Sequence, residues 1–148
     1  MTGVQTCALP ISSNLQSFRD SGTSINVKHF EQAEGIMNGK VDMFFEHNGR
    51  YYILDWKSNY LGDNMKYYEP KQLKEAMNES NYHLQYLIYT VAVKKYLQGR
   101  LPSFDYEQHF GGVIYMFVRG VRSQSQSGIF VRRPGLQQIE ALERMVSY

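Results

Sequence analysis

The sequence predicts an α/β fold in which a mixed β-sheet is flanked by helices. Three observations carry this prediction: a hairpin of two apolar strands, two helices that follow it, and a later apolar strand that precedes a last helix. A hairpin pairs antiparallel, whereas a strand that returns across helices can pair parallel, so the sheet is expected to be mixed. With 148 residues, 43% of them hydrophobic, the chain is long enough to bury one compact core.

The hairpin is predicted in the first half of the chain. Residues 39–45 and 51–57 are rich in apolar and aromatic side chains, and the pair Asn48-Gly49 lies between them. An Asn-Gly pair between two such runs is the strongest short-range signal for a hairpin. An earlier strand is expected at residues 25–34.

Two helices are predicted after a polar loop at residues 59–69, which is long enough to be functional. Pro70 suits the first turn of a helix that ends near Glu79. Residues 82–97 place apolar side chains at the i, i+3, i+4, i+7 spacing of a second helix. The remaining predicted elements are a glycine-bounded buried strand at residues 112–118, a short edge strand at 129–132 and a helix from Pro134.

Composition and charge exclude several classes of protein. There are 16 Lys+Arg against 14 Asp+Glu, a formal net charge of +2, so the chain is neither a polybasic arm nor an acidic tail. No apolar run approaches the ~20 residues needed to span a bilayer, so we expect a soluble, cytoplasmic protein with no membrane contact. The single cysteine, Cys7, excludes an internal disulfide framework and a cysteine-based zinc site.

The first eleven residues are expected to be foreign to the protein. Residues 2–11 read TGVQTCALPI, which resembles the translation of a sequencing adapter. The alternatives are an ordinary strand and a signal-peptide core, although no basic region precedes the apolar residues. On the adapter interpretation, residues 12–24 are a loop or remnant, and residues 25–148 form a domain that is truncated at its N-terminus.

Two acidic residues and a lysine are the candidates for chemistry. The two-residue period of a strand places Asp55 and Lys57 on one face, and Asp42 belongs to the neighbouring strand of the hairpin. Carboxylates brought together without a cation repel one another, so convergence of Asp42 and Asp55 favours a bound divalent ion. The alternative from spacing alone is a solvated ion pair between Asp55 and Lys57 at a strand end.

Four segments follow one another in the chain, namely GKVD, YYILDWKSN, QYLIY and HFGGVIYMFVRGV. In this order they resemble the RecB C-terminal nuclease domain, the β subunit of exodeoxyribonuclease V, a member of the PD-(D/E)xK nuclease superfamily. The residues GKVD ending at Asp42 and YYILDWKSN around Asp55 and Lys57 resemble its PD-(D/E)xK motif, with a 13-residue step between the two acids. The residues QYLIY from Gln85 to Tyr89 resemble its QxxxY motif. The residues HFGGVIYMFVRGV and the later GIF and RP resemble its ending, and the similarity covers residues 25–148.

The resemblance implies a PD-(D/E)xK restriction-endonuclease-like core and a role for each matching residue. Asp42 and Asp55 would be metal ligands together with the backbone carbonyl of Trp56, and Lys57 would be the catalytic lysine. The implied metal is one Mg²⁺ per site, with Mn²⁺ as a substitute. Gln85 and Tyr89 would flank the site and contact DNA, whereas without the resemblance they form a polar pair on a helix surface.

The family also implies partners and a further ligand. The implied partners are single-stranded DNA and duplex ends, RecC-like and RecD-like subunits and RecA, with ATP hydrolysed elsewhere in the parent protein. Related sites use an upstream histidine as a metal ligand, and no histidine here matches it. His47 and His83 are expected to be solvated, and His109 is expected to make a structural contact. The open alternatives are a catalytically incomplete DNA- or protein-binding module and another PD-(D/E)xK exonuclease.

Overall fold

The structure, a computed structural model, describes residues 5–9 and 35–146 and has an α/β architecture. The four strands β3 to β6 form one sheet in that order, and β1 pairs antiparallel with β2 in a separate two-stranded sheet. The strands are β1 Gln5–Leu9, β2 Gly35–Gly39, β3 Met43–His47, β4 Arg50–Lys57, β5 Phe110–Phe117 and β6 Ile129–Arg132. The helices are α1 Pro70–Glu79, α2 Tyr82–Gln98, α3 Tyr106–His109 and α4 Leu136–Val146, with a 3-10 helix at Met65–Tyr68.

The predicted mixed sheet flanked by helices is confirmed. Strand β4 pairs antiparallel with β3 and parallel with β5, and β6 pairs antiparallel with β5. The predicted strand at residues 25–34 and the predicted remnant at 12–24 lie outside the described residues. Strand β1 lies within the segment that resembles an adapter, and the origin of that segment stays a prediction.

The predicted hairpin is confirmed, with one correction at its start. Asn48 and Gly49 both have positive φ, at 51° and 77°, as the tight turn of a two-residue hairpin requires. The predicted strand at 39–45 is wrong in its bounds, because β2 ends at Gly39 and β3 begins only at Met43. Asp42 interrupts the ladder: its side-chain Oδ2 accepts a hydrogen bond from the Trp56 N–H at 2.9 Å, in place of a backbone acceptor.

Helix α2 forms the centre of the core and is buried more widely than its apolar stripe predicts. Beyond the predicted apolar positions, Tyr86, Tyr89 and Thr90 are also buried. The helix packs against α1, α4 and β5, so little of its circumference faces water. On β5, Val113, Tyr115 and Phe117 alternate into the same core and are fully buried. No helix in the described part of the chain is long and apolar enough to cross a membrane.

Short elements account for most of the remaining differences from prediction. Helix α3 was not predicted, because a single turn shows no periodicity; the Asp105 side chain caps it by accepting the Gln108 N–H at 2.9 Å. His109 makes the expected structural contact, with Nδ1 2.9 Å from the Asp105 carbonyl. The polar loop at 59–69 contains the 3-10 helix, and α4 begins at Leu136, two residues after Pro134.

The expectation that His83 is solvated is wrong. The imidazole is buried near the start of α2, packs edge-on against Tyr86 and Phe130, and has Nδ1 3.1 Å from the Tyr86 hydroxyl. Its Nε2 atom is buried without a hydrogen-bond partner. Burial, reinforced by the positive charges of Arg132 and Lys74, lowers the pKa of His83 to about 4.

The buried imidazole predicts a loss of stability in mild acid. The pKa is about 4 when folded and 6.5 when free, so the unfolded chain binds the proton first as the pH falls. The stabilisation is therefore complete above pH 6.5 and is lost progressively down to about pH 4. Urea unfolding of the wild type and His83→Phe should show their difference in free energy of unfolding falling by about 3 kcal/mol across this window. A difference independent of pH would contradict the burial of a neutral imidazole.

Candidate functional site

The candidate site lies at the carboxyl end of β4, where Asp55 and Lys57 point to the same face as the core residue Ile53. Asp55 is 4% exposed and Lys57 is 9% exposed, whereas Trp56 between them points to the opposite face and is exposed. The Lys57 Nζ atom lies 2.5 Å from Asp55 Oδ1. The predicted shared face is confirmed, and the predicted alternative of a solvated surface pair is wrong because both side chains are buried.

Asp42 joins this pair from the neighbouring strand. It precedes β3 directly and is exposed, and its carboxylate is close enough to Asp55 to raise the pKa of that group. Its bond to the Trp56 N–H also fixes the direction of the Trp56 carbonyl. Because a residue in a strand directs its N–H and C=O toward the same neighbour, the Trp56 carbonyl points toward the Asp42 side, away from β5. Two carboxylates and one carbonyl therefore lie at the same end of β4.

Gln85 and Tyr89 lie directly behind the lysine. Gln85 Oε1 accepts hydrogen bonds from Lys57 Nζ at 3.0 Å and from the Tyr115 hydroxyl at 2.9 Å. Gln85 Nε2 donates to the Tyr89 hydroxyl at 3.1 Å, and that hydroxyl donates to the Lys40 carbonyl at 3.0 Å. The side chains of the QxxxY segment thus link the lysine on β4 to the backbone that precedes Asp42. The contact of Gln85 and Tyr89 with DNA stays a prediction.

Two tyrosine rings complete the surroundings of Lys57. Its ammonium lies 4.0 Å from the centre of the Tyr82 ring and 5.0 Å from that of Tyr115, both within cation–π range. The Tyr82 hydroxyl donates to Asn59 Oδ1 at 3.1 Å. The local sequence pattern predicts a place in the site for neither Tyr115 nor Tyr82. The register that places Tyr115 opposite Asp55 could have indicated the first, but it depends on the parallel pairing of β4 with β5.

The electrostatics of the site are dominated by burial. Burial raises the pKa of the Asp55 carboxyl, the Lys57 ammonium lowers it, and the Asp42 charge raises it again. Burial also raises the pKa of the Tyr89 and Tyr115 hydroxyls, and the Asp55 charge adds to both shifts. Both tyrosines are therefore neutral hydrogen-bond donors at physiological pH. Among the described residues, the Lys57 ammonium forms the ion pair with Asp55.

The donor set fits Mg²⁺ better than a metal that needs an all-protein cage. Mg²⁺ is usually held by one or two carboxylates, keeps several waters and binds substrate phosphates in its open positions. Asp42, Asp55 and the Trp56 carbonyl are the oxygen groups of this kind that could hold the ion. Among the described residues, no group of three or more His, Cys, Asp or Glu side chains is placed to hold a metal. A further protein ligand, such as the histidine that the resemblance implies, is not found among them.

Comparison with known proteins identifies the family. The chain is 46% identical over 114 residues to the Haemophilus influenzae RecBCD enzyme subunit RecB, covering 77% of this chain and 9% of that protein. It is 44% identical over 117 residues to the Escherichia coli K12 RecB subunit, covering 78% of this chain and 10% of that protein. The chain belongs to the RecB family. A RecB from Buchnera aphidicola subsp. Acyrthosiphon pisum is 36% identical over 134 residues, which cover 90% of this chain and 11% of that protein.

The extent of the match to RecB limits what it establishes. The chain spans about a tenth of the length of these RecB proteins, so it corresponds to one segment of the family. No protein-family profile matches the sequence. The resemblance to RecB is thus confirmed, and the fold is consistent with the PD-(D/E)xK core that the resemblance implies.

Proposed function

We propose that the chain is the Mg²⁺-dependent DNA nuclease domain of a RecB-like helicase–nuclease, which hydrolyses DNA phosphodiester bonds in double-strand break repair and recombination. The observation that carries this proposal is the convergence of Asp42, Asp55 and the buried Lys57 at the end of β4. Membership of the RecB family supports it, since these relatives are named as subunits of the RecBCD enzyme.

Each residue of the site has a chemical role in this proposal. Asp42, Asp55 and the Trp56 carbonyl would hold the ion. Bound there, Mg²⁺ supplies a water of lowered pKa and neutralises charge on the phosphate. Lys57 would orient the attacking water and stabilise the charge that develops on the phosphoryl oxygens, because its ammonium is buried where such interactions are strong. The ammonium is already aligned by Asp55, Gln85 and the Tyr82 ring.

Gln85 and Tyr89 act first as positioning residues in this proposal. The Gln85 side-chain oxygen accepts two hydrogen bonds, one from the Lys57 ammonium and one from the hydroxyl of Tyr115, whose ring packs beside that ammonium. Tyr89 ties the amide of Gln85 to the Lys40 carbonyl, two residues from Asp42. A direct DNA contact by either residue requires that substrate approach this network from the exposed Asp42 side.

The partners follow from the family name and are proposals for this chain. RecBCD names an enzyme of three kinds of subunit, so RecC-like and RecD-like subunits are the proposed partners, together with DNA. RecA is a further proposed partner, and ATP would be hydrolysed in the part of the parent protein outside this chain. A specific observation favours a second candidate, a DNA- or protein-binding module: the described residues lack a third acidic or histidine ligand.

Titration with Mg²⁺ separates the two candidates. An ion that binds only the folded chain should raise the free energy of unfolding by about 2.7 kcal/mol at 100 times its Kd, or about 5–10 °C in Tm. Asp55→Asn should abolish the shift in Tm and also the cleavage of single-stranded DNA. Glu46→Gln, which changes an exposed carboxylate on β3 outside the site, should keep both. If the wild type shows no shift in Tm and no cleavage, the binding module is favoured.

A further inference from the structure

A cluster of exposed tyrosines and cations lies beside the candidate site and has no part in it. Tyr60 is 61% exposed and Tyr67 is 40% exposed, and the Lys66 Nζ atom lies 5.1 Å from the centre of the Tyr67 ring. The Arg119 Nε atom lies 2.9 Å from the Ser58 carbonyl, two residues before Tyr60, and the Tyr67 ring lies against Gly62, two residues after it. We call Tyr60, Lys66, Tyr67 and Arg119 the aromatic platform.

The aromatic platform is fixed to the end of β4. The Lys57 backbone carbonyl accepts a hydrogen bond from the Val118 N–H at 3.0 Å, and the Arg119 Nε atom donates to the Ser58 carbonyl at 2.9 Å. Tyr60 is only three residues beyond Lys57, which limits their Cα atoms to a separation of about 11 Å. The platform is therefore within a few nucleotides of any phosphate that is bound at Asp42 and Asp55.

The loops that carry the aromatic platform are braced rather than loose. The buried Tyr68 joins them: its hydroxyl accepts the Leu61 N–H at 3.1 Å and its carbonyl accepts the Gly128 N–H at 2.8 Å. Gly62 lies against the Tyr67 ring, where a Cβ atom would come within 2.3 Å of it. The Tyr60 hydroxyl donates to Asp63 Oδ1 at 2.5 Å. The exposed rings are thus held in place at little further entropic cost to a ligand.

The charge around the aromatic platform is suited to phosphate. The aromatic platform has two cations, Lys66 and Arg119, and one adjacent carboxylate, Asp63, which accepts the hydrogen bond of the Tyr60 hydroxyl, so the cluster carries a net positive charge. Positive side chains attract a nucleic-acid backbone, and exposed aromatic rings stack on unpaired bases of any sequence. Exposed rings offer no stacking to a base-paired duplex, whose bases are already stacked, so the aromatic rings favour a single strand.

We propose that the aromatic platform binds single-stranded DNA, with bases stacked on Tyr60 and Tyr67 and phosphates near Lys66 and Arg119. This rests on the proposed function and deepens it, because it specifies which side chains hold the strand and the side of the site from which the strand extends. In the proposed function, the ion held by Asp42 and Asp55 would bind the phosphate that reacts, and the aromatic platform holds the adjoining unpaired nucleotides. The strand is bound without preference for sequence.

The test measures binding without cleavage. Anisotropy of a labelled single-stranded oligonucleotide is followed with the 148-residue chain in the presence of a chelator of divalent ions. Tyr60→Ala and Tyr67→Ala should each weaken binding roughly tenfold, and Tyr→Phe at either position should keep it within about twofold. Arg119→Gln should lower the slope of log affinity against log salt concentration by about 0.7 to 1. Binding of a blunt duplex should be insensitive to both Tyr→Ala changes.

A matched control lies at the other end of α2. Tyr96 is 37% exposed and has the Arg100 guanidinium 5.0 Å from its ring centre, so it repeats the pairing of Tyr67 with Lys66. Its ring contacts Phe44. Tyr96 lies eleven residues along the helix from Gln85, which is about 16 Å by helical rise. Tyr96→Ala should leave binding within about twofold, and thermal melts should show that every variant folds.

The outcomes separate this inference from the proposed function. If the wild type does not bind the single strand, or if Tyr96→Ala weakens binding as much as Tyr67→Ala, the proposed role of the aromatic platform is wrong. Suppose that cleavage with Mg²⁺ is lost in Asp55→Asn but binding does not depend on either tyrosine. This result overturns the proposed role of the aromatic platform and leaves the proposed nuclease function standing. Binding that depends on the tyrosines without any cleavage supports the aromatic platform and counts against the nuclease.

Discussion

Replacing Lys57 by methionine should lower the rate of DNA cleavage by about 10²–10³-fold, the loss expected when one preorganised charged donor is removed from a buried site. Methionine keeps an unbranched side chain against Tyr82 and Tyr115 but has no ammonium to orient water or stabilise charge. Single-turnover cleavage of labelled single-stranded DNA by the full-length protein that carries this chain measures the effect. Unwinding by the same protein should be retained.

Lys94 provides the matched control for this substitution. It is also a buried lysine paired with a carboxylate, 2.7 Å from Glu143 Oε2, but it joins α2 to α4 and does not contact the site. Lys94→Met should therefore change stability without changing the cleavage rate. Equal losses of activity in both variants would show that general destabilisation, and not the ammonium of Lys57, accounts for the effect. Full activity in Lys57→Met would remove the lysine from the mechanism.

The cost of burying the Asp55–Lys57 pair is a physical reason to assign it a function. Desolvation of two charges commonly exceeds their mutual attraction, and replacement of such pairs by apolar residues is often neutral or stabilising. Strand β4 could continue its core face from Ile53 with apolar side chains, as Val113, Tyr115 and Phe117 do on β5. Instead it places an acid and a base there, next to the second acid Asp42. Packing alone does not explain this choice.

The parts of the structure that depend on local pattern could be predicted from the sequence. The Asn48-Gly49 turn fixes the hairpin, and the hairpin together with the strand period fixes which side chains accompany Asp55. The hairpin also indicates Asp42 as a neighbour of Asp55. The family resemblance supplies Gln85 and Tyr89, which stand far from Asp55 in the chain. The local sequence pattern therefore indicates which residues lie near one another along a single strand, hairpin or helix.

The parts that depend on tertiary contacts could not be predicted. The interruption of the strand at Asp42 requires the Trp56 N–H as a partner. The place of Tyr115 beside Lys57 requires the parallel register of β5 against β4. His83 has a polar side chain at a helix start, and only the packing of Phe130 from β6 makes it a core residue. In each case a residue from another element determines the outcome, and the local sequence carries no signal for it.

The same distinction separates two glycines and gives the second large expected effect. Gly128→Ala should lower the free energy of unfolding by about 3–5 kcal/mol, from left-handed backbone strain and from overpacking together. Gly128 has φ +74°, and a Cβ atom there would lie 2.6 Å from the Gly120 carbonyl carbon and 2.6 Å from the Val121 nitrogen. Both are backbone atoms, so no side chain can rotate away to relieve the contact.

Gly49 isolates the steric part of that loss. Its φ is +77°, almost the same as that of Gly128, but a Cβ atom there would have no neighbour within 4 Å. Gly49→Ala should therefore cost only the strain of the left-handed backbone, about 1–2 kcal/mol, and urea unfolding of the two variants measures the difference. Equal losses would mean that the loop at residues 118–128 yields to the added methyl group. A much larger loss at Gly128 would show that this loop is packed rigidly against Tyr68, which is the support that the aromatic platform requires.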